Sequence, residues 1–150
     1  MAKGFEAKTL IEARPEAVWA VMTDFARAPE WMPGIEAVAA KDERPLEAGK
    51  VFAVTMSTKG RGKERDMTLS DWRPPHGFAL SSREGGVTAT YTYALAPADR
   101  GTRVTLHGAC EAKGFWRLLH PLIVKMMARH DGRQVELLKT VVEGEQPTTA

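Results

Sequence analysis

Phe5, Ala7, Thr9 and Ile11 alternate with charged or less apolar neighbours, a period of two that predicts a first strand over residues 4 to 13, interrupted by Arg14-Pro15. The period then lengthens. Pro15 suits a first helical position, Glu16 favours the positive end of the helix dipole, and Val18, Met22 and Phe25 recur at helical spacing with Trp19 beside them. Pro29 is expected to start a second turn through Glu30, Trp31 and Met32, and Pro33-Gly34 to end it. Two short helices in succession are therefore predicted.

From Ile35 to Glu111 short runs rich in Val, Thr, Tyr and Phe are separated by Glu47-Ala48-Gly49, Lys59 to Gly62, Pro74-Pro75-His76-Gly77, Gly85-Gly86 and Asp99-Arg100-Gly101. These turns, roughly ten to thirteen residues apart, predict an antiparallel meander of about six strands beyond the first, curved into one sheet. Strand parity selects an inner face of Phe52, Val54 and Met56; Val87, Ala89, Tyr91, Tyr93 and Leu95; and Val104, Leu106, Gly108 and Cys110. Phe78 and Leu80 are expected to join it, and His107 and Glu111 to face solvent. Met67, Leu69 and Trp72 do not share one parity, which suggests a bulge and leaves the facing of that strand open.

After Gly114 the helical period returns. Leu119, Ile123, Met126 or Met127, His130, Leu137, Leu138 and Val141 predict one long helix from Phe115 to about Glu143, with Pro121 setting off a short entry turn. Residues 1 to 144 are expected to form a single domain, and residues 145 to 150 a mobile tail.

Composition narrows the function classes. A chain of 150 residues that is 43% apolar can bury one sizeable core. Its 21 Lys plus Arg against 19 Asp plus Glu leave a formal +2, too little to argue for a nucleic acid, and no such partner is expected. The single Cys110 excludes an internal disulfide, and the N-terminal stretch lacks a secretory apolar run. No apolar run approaches the roughly 20 residues that span a bilayer. A soluble, cytoplasmic protein without membrane insertion is expected; no pattern specifies its oligomeric state.

Reactive chemistry is sparse. The histidines are His76, His107, His120 and His130, and the last two lie ten apart rather than the three or four that put two ligands on one helical face, so neither metal nor other cofactor is expected. No Gly-x-Ser-x-Gly stretch occurs, and Cys110 on the apolar parity reads as a small buried hydrophobe. No catalytic residue is assigned. His130 is either a core histidine or a proton-transfer group facing a cavity. Tyr91 and Tyr93 bring two phenols to the concave face, where a buried hydroxyl needs a partner from protein or ligand. Met22, Met32, Met56, Met67, Met126 and Met127 either fill core gaps or make an adaptable lining. The cations of "TKGRGKERD", Thr58 to Asp66, read as a solvated hairpin tip, with an anionic surface as the rival.

The order of strand, helix pair, antiparallel meander and terminal helix defines an α+β fold. One helix covers only part of a six- or seven-stranded face, so space remains, to be filled by side chains or left as a pocket. The runs "IEARPEAVWAVMTDFARAPEWMPGI", "GTRVTL" and "LLHPLIVKMMARHDGRQVELLKTVVE" resemble the polyketide cyclase/dehydrase and lipid-transport branch of the START-like (SRPBCC) superfamily, from about Phe5 to Glu143. That resemblance implies the helix-grip fold: a curved seven-stranded antiparallel sheet around a long C-terminal helix, with an internal cavity. Its motifs "PEAVW", "PEW" and "GTRVTL" support architecture and name no reaction.

The expected activity is binding of a lipid-like or polyketide-like hydrophobic small molecule. Candidate ligand contacts are Met56, Phe78, Tyr91, Tyr93 and Leu106 from the sheet, and Leu119, Ile123, Met127 and His130 from the helix. Alternatives are a cyclase or dehydratase using the same cavity, and a protein-interaction module.

Overall fold

The structure is a computed structural model that describes residues 3–58, 61–84 and 86–145. Among these, seven strands form one antiparallel sheet: β1 (Lys3–Ile11), β2 (Ile35–Ala40), β3 (Val51–Thr58), β4 (Arg61–Arg73), β5 (Gly77–Glu84), β6 (Val87–Ala98) and β7 (Gly101–Ala112). Their spatial order is β1-β7-β6-β5-β4-β3-β2. The chain thus follows a meander from β2 to β7, and β1 closes against β7. The predicted turns connect these strands, as Gly, Pro and Asp clusters dictate. Lys59, Gly60 and Gly85 lie outside the described residues, as do residues 146–150 of the expected tail.

Strand alternation sorts the faces as parity demands. Phe52, Val54, Phe78, Leu80, Tyr93, Leu95, Val104 and Leu106 are all buried, while His107 and Glu111 are exposed. The undecided strand is β4. Met67 and Leu69 are buried, and the register with β5 shifts between Ser70 and Arg73. Asp71 takes up the extra residue at a φ of 48°, its carboxylate paired with Arg73 at 3.1 Å. The bulge turns Trp72 back inward, where its ring centroid stands 5.1 Å from Trp19 and 6.1 Å from Phe78.

β1 and β2 occupy opposite edges of the sheet, so the segment between them must cross the concave face. It does so as α1 (Pro15–Met22) and a 3-10 helix (Phe25–Glu30). The expected break at Pro29 lies instead at Thr23-Asp24, where the Thr23 hydroxyl donates to Trp19 O at 2.8 Å. Pro29 sits inside the 3-10 helix, whose short run of i to i+3 bonds tolerates a missing donor. The pair drives Val18, Met22, Phe25, Ala28, Trp31 and Met32 into the core.

The expected long C-terminal helix is also divided. A 3-10 helix (Gly114–Leu119) leads into α2 (His120–Asp131), and Gly132-Arg133 separates it from α3 (Gln134–Glu145). Gly132 costs helix stability through its backbone freedom, which explains a break that apolar periodicity alone did not reveal. The two halves have different surroundings. Val135, Leu138 and Val142 of α3 are buried, and α3 packs on β1, α1, β7 and the Phe25–Glu30 helix, whereas α2 has no fully buried residue. The solid core therefore lies under α3, and the incompletely filled space under α2.

Candidate functional site: a cavity beneath α2

A cavity of about 280 Å³ opens between α2 and the concave face of β3 to β6. Strands β3 and β4 contribute Val54, Met56, Arg65 and Met67; β5 and β6 contribute Leu80, Ser82, Ala89, Tyr91 and Tyr93. The turn before β2 adds Met32, Pro33 and Ile35, and the helical side adds Ile123, Met127, His130, Asp131 and Gln134. The strand residues reach one space because they share one pleat face. Ile123 and Met127 share a face of α2 because they are four residues apart.

The wall is mostly apolar; Arg65, Ser81 and Ser82 of the sheet and His130 at the rim are polar exceptions, and at one end four further polar side chains lie together. The Tyr91 hydroxyl donates to Asp131 Oδ2 at 2.6 Å, and the Tyr93 hydroxyl to Gln134 Oε1 at 2.6 Å. The Gln134 amide lies near enough to the Asp131 carboxyl to favour its charged form, so the two pairs sit side by side. Both phenols belong to β6 at alternate positions, and both partners flank Gly132 at the α2–α3 junction. The helix break is what brings Asp131 and Gln134 together over the two tyrosines.

Electrostatics follows from burial. Desolvation pushes the Asp131 carboxyl above its ordinary range, opposed by the hydrogen bond from Tyr91, the charge of His130 and the hydrogen bond from Gln134. Burial, reinforced by the charge of Asp131, pushes both phenols far up, so they stay neutral donors at any physiological pH. Asp131 is thus a partly buried acid held by fixed donors, able to accept a hydrogen bond when ionised and donate one when protonated.

His130 stands at the rim. A Cβ built on Gly34 would lie 2.8 Å from His130 Nε2, so the imidazole rests against that glycine, whose φ of 85° makes the turn into β2. This contact joins α2 to the Pro33-Gly34 corner, which closes one side of the cavity.

Of the residues expected from sequence, Tyr91, Tyr93, Met56, Ile123, Met127 and His130 line the cavity. Phe78 and Leu106 do not: both are fully buried in the filled half of the core, with Phe78 5.1 Å from Tyr93 and 5.7 Å from Trp19 and Phe25. Leu119 also falls outside, at the end of the 3-10 helix before α2. Arg65, read as part of a solvated hairpin tip, is instead half-buried on the inner parity with Met67 and Leu69.

Among the methionines, Met32, Met56, Met67 and Met127 line the cavity, while Met22 is core and Met126 is exposed. Burial pushes the Cys110 thiol up, away from the reactive thiolate, and His120 Nε2 stands 2.8 Å from Cys110 O. Among the described residues, no group of three or more His, Cys, Asp or Glu is arranged to hold a metal ion.

Residues 3–143 match the family described as polyketide cyclase / dehydrase and lipid transport. The chain belongs to that family. Solved structures place this polyketide cyclase / dehydrase member among helix-grip proteins. Zhui aromatase/cyclase from Streptomyces sp. R1128 superposes with a TM-score of 0.79 at 13% identity, covering 99% of this chain and 98% of that one. TTHA0849 from Thermus thermophilus gives 0.73 at 20% identity, covering 95% and 98%. Ara h 8.0201 gives 0.73 at 14% identity, covering 97% and 100%. At these identities the likeness is one of fold. No curated protein sequence matches the chain. The family and its neighbours support a hydrophobic ligand-binding fold.

Proposed function

We propose that the protein binds a predominantly apolar small molecule in the cavity beneath α2, with a hydroxyl or carbonyl of the ligand directed at the Tyr91–Asp131–Gln134–Tyr93 cluster. The observation that carries this reading is the cavity itself, whose mostly apolar wall holds two phenols fixed by hydrogen bonds at the α2–α3 junction. Apolar burial drives binding, at about 25 cal/mol per Å² removed from water. The polar end sets orientation, because a ligand lacking a complementary group leaves Asp131 desolvated without gain.

The test is a fluorescence titration with N-phenyl-1-naphthylamine. Saturable enhancement is expected with the native chain, retained in Tyr91→Phe and lost in Ala89→Trp, which fills the cavity from β6. An unchanged titration in Ala89→Trp would overturn the reading.

A second reading is favoured by the raised Asp131 carboxyl lying 2.6 Å from Tyr91, and by the family's description. In a dehydration, protonated Asp131 gives its proton to a departing hydroxyl, which leaves as water. The carboxylate so formed, held by Tyr91 and Gln134, recovers a proton from the adjacent α-carbon as the double bond forms. Asp131→Asn would then abolish turnover of a β-hydroxy carbonyl substrate while leaving N-phenyl-1-naphthylamine binding intact.

A further inference from the structure

The cavity wall has a second side. Ile123 and Met127 of α2 face the cavity, and the flank of the same segment about 100° round the helix is apolar too: Phe115 and Leu118 are 68% and 80% exposed, and Trp116, Leu122 and Met126 are also exposed. Leu122 and Met126 are one turn apart, and helical spacing puts Lys125 and Arg129 on their face. Phe115 and Trp116 pack edge to face at 5.7 Å, with Trp116 lying close over Gly86 of the β5–β6 turn. Five large apolar side chains left exposed on one short segment call for a covering partner.

Charge identifies it. Between Ala112 and His130 the chain carries Lys113, Arg117, Lys125 and Arg129 and no Asp or Glu, although the protein as a whole is nearly balanced at +2. All four cations are exposed. Large apolar side chains flanked by lysine and arginine, on a helix that shows no fully buried residue, match an anionic lipid surface: aromatic and aliphatic groups enter the headgroup boundary while cations meet phosphates. No helix among the described residues is long and apolar enough to cross a membrane, so the contact is interfacial.

We propose that the Gly114–Leu119 turn and the outer face of α2 dock on anionic bilayers, bringing the wall of the cavity to the lipid surface. Docking itself stands apart from the cavity reading; the delivery of an apolar ligand from the bilayer past α2 rests on it.

Cosedimentation with vesicles of phosphatidylcholine alone, and with one third phosphatidylglycerol, tests the docking. Binding is expected only with phosphatidylglycerol and at low salt. Lys125→Ala with Arg129→Ala should weaken it roughly thirtyfold, and Leu122→Ser with Met126→Ser by about tenfold or more. Absence of binding to anionic vesicles, or equal binding by these variants, overturns the proposal. So does an apolar face that instead holds two copies together, seen as a dimer that Leu122→Ser with Met126→Ser converts to monomer without any vesicle binding. N-phenyl-1-naphthylamine titration without vesicles reports the cavity separately: vesicle binding by a chain that takes up no probe sinks the cavity reading and leaves docking standing.

Discussion

Replacing Tyr93 by Phe removes one oxygen from a site that is 1% exposed and leaves its acceptor, Gln134 Oε1, in a residue only 4% exposed. A buried acceptor stripped of its donor costs about 1–3 kcal/mol. Gln134 also borders the cavity, so water can partly replace the lost phenol, which puts the expected cost nearer about 1–2 kcal/mol. For a chain of this length that lowers Tm by roughly 2–6 °C. Urea unfolding at pH 7 is the assay, read as a shift in midpoint at constant slope. A cycle with Gln134→Met isolates the pair, since any effect of Gln134 on Asp131 is lost in both of its arms and cancels. A coupling of about 1–2 kcal/mol is expected. A Tyr93→Phe protein within about 0.5 kcal/mol of the native chain, with no coupling, would refute the linked polar cluster.

Asp131→Asn keeps an acceptor for Tyr91 and removes the desolvated charge. Because burial raises the folded-state value of this carboxyl, its contribution favours the fold below the unfolded value of 3.8 and fades as pH rises through the folded one. The variant should therefore match or exceed the native Tm at pH 8 and fall below that advantage at pH 4, measured by differential scanning calorimetry. Glu143 has the opposite sign. The Glu12 backbone N–H at 2.9 Å, then Lys139, hold it below 4.5, so its contribution is present above that value and lost as pH falls through the lowered one. Glu143→Gln should cost about 0.5–1 kcal/mol at pH 7, modest because the side chain is partly solvated, and progressively less as pH falls through the lowered value.

Strand residues were the legible part of the site. A period of two leaves no freedom in which way a side chain points once one neighbour is assigned, so Tyr91, Tyr93 and Met56 could be put on the concave face from sequence. Parity does not, however, distinguish the filled half of that face from the open half. Phe78 and Leu106 point inward as surely as Tyr93, yet Trp19, Phe25 and Trp72 occupy the space around Phe78. Arg65 was hidden because Asp71 breaks the alternation of β4 with a left-handed residue that is not glycine, which sequence rarely announces. Asp131 and Gln134 were missed because apolar periodicity runs across Gly132 unbroken. The polar residues flanking that glycine were the available signal, since a glycine between two charged or amide side chains inside a helix marks a candidate junction. The helix break after α1 is displaced for a related reason: proline favours the first position of an α-helix, whereas a 3-10 helix accommodates it inside.

The central claim is that the space under α2 holds a guest, and native mass spectrometry of the purified chain, compared with its Ala89→Trp variant, tests it most directly. The native chain is expected to carry a noncovalent adduct of small apolar mass that the variant lacks. Bare protein in both, with no adduct formed on incubation with fatty acids or aromatic polyketides, would contradict it.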